Sequence, residues 1–318
     1  MNESFSAIAV RESVPRLEQI ERILHGLTEL DSNQDTQYAK EQSIAFFTAA
    51  KSIWTYSLWL FKYSGKLDGN RLLEINELLP GLDEEMHHHL TRIGRRKFPG
   101  LLRPIIERMT SNILCSKYSR IRVIDVGSGG MEIERQIIQA LSKKSLSRVT
   151  FVGADISADA LSRAAKNIAE IGSSDVCVQF VERLNQVEIE EIERSTEARF
   201  LVLLCRIHVD ELLKTCPRNY FSFAFTSLFL HHVPLSERPN VLNNIATLAG
   251  DVVHYDGYRS FLNLIPQSII AWQHPVFLNA AIFSNLRYMN KRELRDFHPK
   301  SQLTFCPHGH YLSENLSS

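Results

Sequence analysis

The stretch Val123-Ile124-Asp125-Val126-Gly127-Ser128-Gly129-Gly130 decides the fold. A short apolar run ends in glycines, and Met131 to Leu141 then carry Ile133, Ile137, Ala140 and Leu141 on one helical face. The pattern predicts a buried strand, a tight turn and a helix. Glycine suits the turn because the backbone must bend sharply and admit a ligand without a Cβ in the way. The helix start adds free N–H groups and the positive end of its dipole. A dinucleotide fingerprint would need a third glycine at position 132, and Glu132 stands there instead.

Downstream, Val149 to Ala154 predicts a second strand, ending at Asp155. A carboxylate there can accept two hydrogen bonds from ribose hydroxyls. Ser157 is the expected N-cap of a helix that runs to Ile171, with Leu161, Ala164, Ala165 and Ile168 inward and Gly172 at its end. Strand, helix, strand, helix at this spacing predicts a parallel sheet with helices on its faces. Phe200 to Val209 and Phe221 to Phe229 read as further strands, the latter followed by Leu230-His231-His232. Residues 173 to 198 are expected to be an insertion with a helix over 187–194. Later expectations are a helix from Leu235 to Leu248, a strand from Asp251 to Tyr255 and an apolar segment from Phe261 to Ile282 that covers the site. An Asn290–Glu293 capping box and closing strands at Leu303 to Cys306 and His310 to Leu312 follow.

Upstream, residues 1–115 read as an all-α domain. Its expected helices span 14–30, 40–63, 70–79, 82–93 and 101–114, with breaks at Gly65 to Gly69, at Pro80 and at Pro99-Gly100. A lid, substrate-binding or oligomerisation role suits such a domain. The stretch from Ser43 to Phe61 has nearly the length of a membrane span, but Lys51 and five hydroxyl residues interrupt it, so a buried helix is expected. His87-His88-His89 point about 100° apart on a helix and cannot share one ion. Cys306, His308 and His310 could share a strand face but lack a fourth ligand. No metal site is expected.

Acidic and basic residues balance at 36 each, so nothing global steers the chain to nucleic acid or an anionic membrane. The five cysteines are odd in number and widely spaced, which fits reduced thiols in a cytoplasmic protein. The N-terminus lacks a basic segment followed by an apolar one, so no signal peptide is expected.

Asp125-x-Gly127-x-Gly129-Gly130, Asp155 after the second strand and the strand ending in Leu230-His231-His232 together resemble the class I S-adenosylmethionine (SAM) methyltransferases over residues 120–312. Met131 takes the place of the family's usual third glycine, and Ser222 that of an aspartate near the start of the fourth strand. The resemblance implies a Rossmann-like α/β domain over residues 116–318, SAM as cofactor, and methyl transfer to an oxygen, nitrogen or carbon of a small molecule. It implies that Asp125, Gly127, Ser128, Gly129 and Gly130 hold the methionine end and Asp155 the ribose, with Ile156 and Ser227 as further contacts. Adenine would meet an acidic residue after the third strand. Asp210 is preferred over Glu182 because Phe200 to Val209 is the stronger strand. His231 or His232 would act as base. The expected partner is a small-molecule substrate, not nucleic acid, with no membrane span; homo-oligomerisation stays open. The competing possibilities are a non-catalytic SAM-fold regulator and, behind it, an NAD-linked oxidoreductase.

Overall fold

The computed structural model describes residues 53–63, 100–144, 148–260, 275–299, 301–306 and 309–315, with residues 41, 44, 45, 47, 48 and 50 ahead of them. The helices expected over 14–30, 70–79 and 82–93, the His87–His89 run, His308 and most of the 261–282 segment lie outside the described residues.

The chain divides into two compact units, residues 1–98 with 259–289, and residues 99–258 with 290–318. In the first, helix α1 (Ile53–Tyr63) packs against a later helix, Pro275–Arg287. Ser57 and Asn279 are fully buried between them, and Asn279 Nδ2 donates to Ser57 Oγ at 3.3 Å. Tyr56 is buried edge-on to Phe47, with ring centroids 5.4 Å apart. No helix among the described residues is long and apolar enough to cross a membrane.

The second unit begins with α2 (Arg103–Leu114) and alternates thereafter: β1 (Ile121–Val126), α3 (Glu132–Leu141), β2 (Val149–Asp155), α4 (Ala158–Ala169), β3 (Val176–Val181), α5 (Gln186–Ser195), β4 (Phe200–Arg206), α6 (Val209–Thr215), β5 (Phe221–Ser227), α7 (Arg238–Leu248) and β6 (Ala249–Gly257). The Pro275–Arg287 helix is α8; α9 (Lys291–Phe297), β7 (Gln302–Cys306) and β8 (His310–Asn315) complete the series.

The strands form one sheet in the order β3-β4-β2-β1-β5-β6-β8-β7. The first six are parallel, and β8 runs antiparallel between β6 and β7. Strands β1, β2, β4 and β5 are buried along nearly their whole length. Their near-continuous apolar sequences follow from being covered on both faces. On one face α2, α3 and α4 contribute Ile105, Met109, Ile133, Ile137, Leu161 and Ile168 to the core. On the other, α5, α6 and α7 contribute Ile189, Leu212, Val241 and Ile245.

Two features differ from the sequence expectation. Helix α2 was expected to end the helical domain, but Ile105, Met109 and Ile113 bury against the sheet unit, while residues 259–289 group with the N-terminal segment. The insertion expected at 173–198 holds the helix α5 but also β3, which adds a sixth parallel strand at the edge. Its pattern is weak because an edge strand is only half covered: β3 is mostly part-exposed, and Phe180 is largely open.

Candidate functional site

The carboxyl-terminal ends of β1, β2 and β5 carry the residues singled out from the sequence. After β1 the backbone turns through Gly127 (φ 75°), Gly129 (φ 51°) and Met131 (φ 50°), all left-handed. A Cβ on Gly127 would lie 2.2 Å from the Phe229 ring, which lies against the turn. A Cβ on Gly129 would meet nothing within 4 Å, so open space stands over that residue. Met131 accepts the left-handed backbone that glycine would favour, and its thioether is buried over Gly153.

Asp155 locks this turn from the neighbouring strand. Its Oδ2 accepts from Gly129 N at 2.8 Å, and its Oδ1 accepts from Ser157 N at 2.8 Å. A carboxylate has about four acceptor positions, so two remain for a ligand. Ser157 caps α4 through Ala160 N at 3.2 Å, and Asn167 from the same helix donates to Gly130 O at 2.8 Å. Ile156 is 64% exposed beside Asp155, an apolar surface left open at the strand end.

Beneath the turn lies a cluster of buried acceptors. Asp125 Oδ1, Ser128 Oγ and both carboxylate oxygens of Glu134 receive no donor from another residue, and the two carboxyls bond each other. Burial, then the neighbouring Glu134 and Asp155, raise Asp125 well above the usual carboxylate range. Burial likewise pushes Glu134 up to about 7. Buried polar atoms are rarely left unsatisfied in a native protein, so this cluster fits a ligand that brings donors.

Ser227 ends β5, and Leu228 turns the chain with φ 52° into a short 3₁₀ turn, Leu230–His232. The two histidines part there. His231 is buried, and its Nδ1 lies 2.9 Å from Asp256 Oδ1 near the end of β6. The other Asp256 oxygen accepts from His231 N at 3.1 Å, and Oδ1 also accepts from Gly257 N at 2.8 Å. Arg238, buried at the start of α7, donates to Val233 O at 2.9 Å and fixes the same loop. Burial works to raise Asp256, but the His231 ring, the Gly257 N–H and Arg238 outweigh it and hold the carboxyl below its ordinary value. His232 is exposed, its ring 4.0 Å from that of His231. His254, two residues before Asp256, is buried, bonds Thr226 Oγ1 at 3.1 Å and is pushed down to about 3 by burial, so it stays neutral.

Asp210 and Glu182 do not join this cluster through any hydrogen bond. Asp210 is exposed at the start of α6, 3.3 Å from His208 Nδ1 and from Asn244 Nδ2. Because β4 and not β3 neighbours β2, the loop that leads to Asp210 runs beside Asp155, where Ile207 N donates to Asp155 O at 3.1 Å. Glu182 follows β3, one strand further out. Ser222 lies at the opposite end of β5, where its Oγ accepts from Arg122 N at 3.3 Å. Among the described residues no group of three or more His, Cys, Asp or Glu is placed to hold a metal ion.

Asp256, Arg238 and Glu134 were not anticipated. Asp256 lies one residue beyond the strand expected to end at Tyr255, and its importance depends on a residue 25 positions away. Glu134 did leave a signal: it sits three and seven residues before the buried Ile137 and Leu141, on the apolar face of α3.

No protein-family model matches the sequence, and no curated protein matches it significantly. Solved structures do match. The plantazolicin methyltransferase BpumL, in complex with SAH and a desmethyl plantazolicin analogue, aligns with a TM-score of 0.50 at 10% identity, over 82% of this chain and 98% of that one. A proposed SAM-dependent methyltransferase from Methanococcus maripaludis aligns at 0.48 and 14% identity, over 74% and 94%. The small RNA methyltransferase HEN1 aligns at 0.44 and 15% identity, over 68% and 26%. The match to the first of these, over nearly its whole length, together with the eight-stranded, mostly parallel sheet, shows that the chain has the Rossmann-like fold of the class I SAM-dependent methyltransferases.

Proposed function

We propose that the protein is a SAM-dependent methyltransferase acting on a small-molecule acceptor, with the cofactor along the ends of β1 and β2 and the acceptor near His231. The observation that carries the reading is the convergence at one sheet edge. A left-handed glycine turn with open space over Gly129, buried acceptors below it that no donor from another residue reaches and a carboxylate clamped across from it fit a ligand with an ammonium group and a ribose. Ligands of parallel α/β sheets bind at this edge.

When bound, SAM supplies an activated methyl group on a sulfonium. The chain's task is to hold the acceptor in line, exclude water and take a proton where the acceptor carries one. Asp125 and Ser128 would hold the amino-acid end, Gly129 would leave room for it with Gly127 and Gly130 shaping the turn, and Asp155 would hold the ribose hydroxyls. Ile156 would pack on the base, with Asp210 the acidic residue beyond it, and Ser227 would border the site from β5. His231 is the preferred base over His232, because the Asp256 carboxylate bonded to Nδ1 holds and orients its ring. A small acceptor fits a chain with no net charge, and homo-oligomerisation and a cytoplasmic location are compatible with this reading.

The test is calorimetric titration with SAH, SAM and NAD. SAH and SAM should bind and NAD should not. Asp155→Ala should weaken SAH by about 30- to 1000-fold, or about 2–4 kcal/mol. Binding of NAD but not SAH would remove the cofactor assignment. SAH release from SAM with phenol, amine and thiol acceptors then tests turnover. His231→Ala should lower it by about 100-fold with SAM binding nearly intact, and an unchanged rate would remove His231 as base.

A further inference from the structure

Three acidic or hydroxyl side chains share one cell of the sheet beneath the glycine turn. By register Asp125 on β1 stands between Gly153 on β2 and Phe225 on β5. Gly153 has no side chain, and Ser128 Oγ occupies the space above it, 3.0 Å from where a Cβ would be. Glu134 enters the same cell from the first turn of α3. Its neighbours on that helix face are Ile133, Ile137 and Ile138, which belong to the buried core. Glu134 is 1% exposed and Asp125 3%. The two carboxyls bond each other, and no donor from another residue reaches either Glu134 oxygen, Asp125 Oδ1 or Ser128 Oγ. A helix start softens the burial of one carboxylate but supplies no counter-ion for two.

We propose that Glu134 is a second carboxylate of the cofactor's amino-acid subsite: with Asp125 and Ser128 it receives a protonated α-amino group at the turn. The inference rests on the cofactor reading above and adds a residue to it. An ammonium group brings three N–H donors and one positive charge, which matches a cell with acceptors from three side chains and no donor or cation from another residue. Among the described residues no lysine or arginine acts on either carboxyl. Arg135 on α3 pairs with Glu132 at 2.7 Å, Arg103 on α2 with Glu107 at 2.7 Å, and Arg108 with Glu314. The other charged groups that act on the pair are Glu132 and Asp155, both acidic. In the free protein the two carboxyls, buried together with no cation and bonded to each other, share a proton. Entry of the ammonium group displaces it.

Two consequences separate this from a structural role. SAH affinity should rise about tenfold between pH 6 and pH 8, because binding releases a proton. The affinity of 5′-methylthioadenosine, which lacks the amino-acid end, should stay flat over the same range. Glu134→Gln should weaken SAH by about tenfold and flatten its pH profile, leaving 5′-methylthioadenosine unchanged. The experiment is calorimetric titration of the full chain with both ligands at pH 6, 7 and 8, on the wild type and on Glu134→Gln. A flat SAH profile in the wild type overturns the proposal and needs no variant that must fold. Equal losses of both ligands in Glu134→Gln overturn it too, since they mark a structural residue. If the wild type binds neither ligand, the cofactor reading fails and this one with it.

Discussion

At the amino-terminal edge of the parallel sheet, Glu193 is buried and fully met. Arg122 donates to both of its oxygens at 2.9 and 2.7 Å, Thr150 Oγ1 donates to Oε1 at 2.8 Å, and Arg120 stands 3.7 Å away. Burial works to raise Glu193, but Arg122 and Thr150 outweigh it, and the carboxyl lies below its ordinary value. Arg122 is itself covered by the Tyr220 ring, 4.4 Å from its centroid. At the carboxyl-terminal edge, Glu134 is as deeply buried and is met only by a second acid, Asp125, with no cation on either, below a turn with three left-handed residues. Both carboxylates lie on helices packed against the same sheet. The edge that only has to hold the fold satisfies its charge, while the edge assigned to ligand binding leaves its charge and its backbone strain uncompensated.

Substitutions should break this contrast in opposite directions. Arg122→Ala should show the largest effect, a loss of about 3–5 kcal/mol in denaturant-unfolding stability, because it strands Glu193 in the sheet unit. A loss below about 1 kcal/mol would mean that the pair is solvated in solution and that the two edges are alike.

Glu134→Gln should act the other way. A carboxyl raised in the folded protein contributes its stability below its unfolded value, near 4.5, and loses it as pH rises through about 7. Relative to the wild type, the variant should therefore gain nothing near pH 4 and about 3 kcal/mol by pH 8. Unfolding curves of the two proteins across that range check it. A constant difference would show that Glu134 is not titrating in the core.

The glycines of the turn give the finest comparison. Gly127→Ala combines a left-handed backbone with a Cβ 2.2 Å from the Phe229 ring, and should cost about 2–3 kcal/mol. Gly129→Ala meets open space and should cost only about 1 kcal/mol for the backbone. Adding Phe229→Ala to Gly127→Ala should recover the clash but not the φ cost, which a double-mutant cycle would read. Equal costs at both glycines would show that the ring does not press on the turn.

Much of the carboxyl-terminal edge was legible because its residues depend on near neighbours. The turn from Gly127 to Gly130, the Ser157 cap and the Asn290–Glu293 capping box are fixed by spacing within a few residues, and all three form as expected. The roles of the histidines were not legible. His231 and His232 are adjacent in sequence, and only the approach of Asp256 from β6 separates a buried, oriented ring from an exposed one. Glu134 was passed over for another reason: an acidic residue in the first turn of a helix usually faces solvent and favours the dipole, and here that expectation hid its burial. The Arg122–Glu193 network joins residues 71 apart, and spacing carries no trace of such a pairing.

Amide hydrogen exchange of the full chain with and without SAH tests the contrast between the edges most directly. The account predicts added protection across 127–131, 155–157 and 227–232, where backbone groups of the turn, the α4 start and the histidine loop face the ligand, and no change across 120–122, 148–150 and 190–194. Protection confined to the Arg122–Glu193 edge, or none anywhere at saturating SAH, would contradict it.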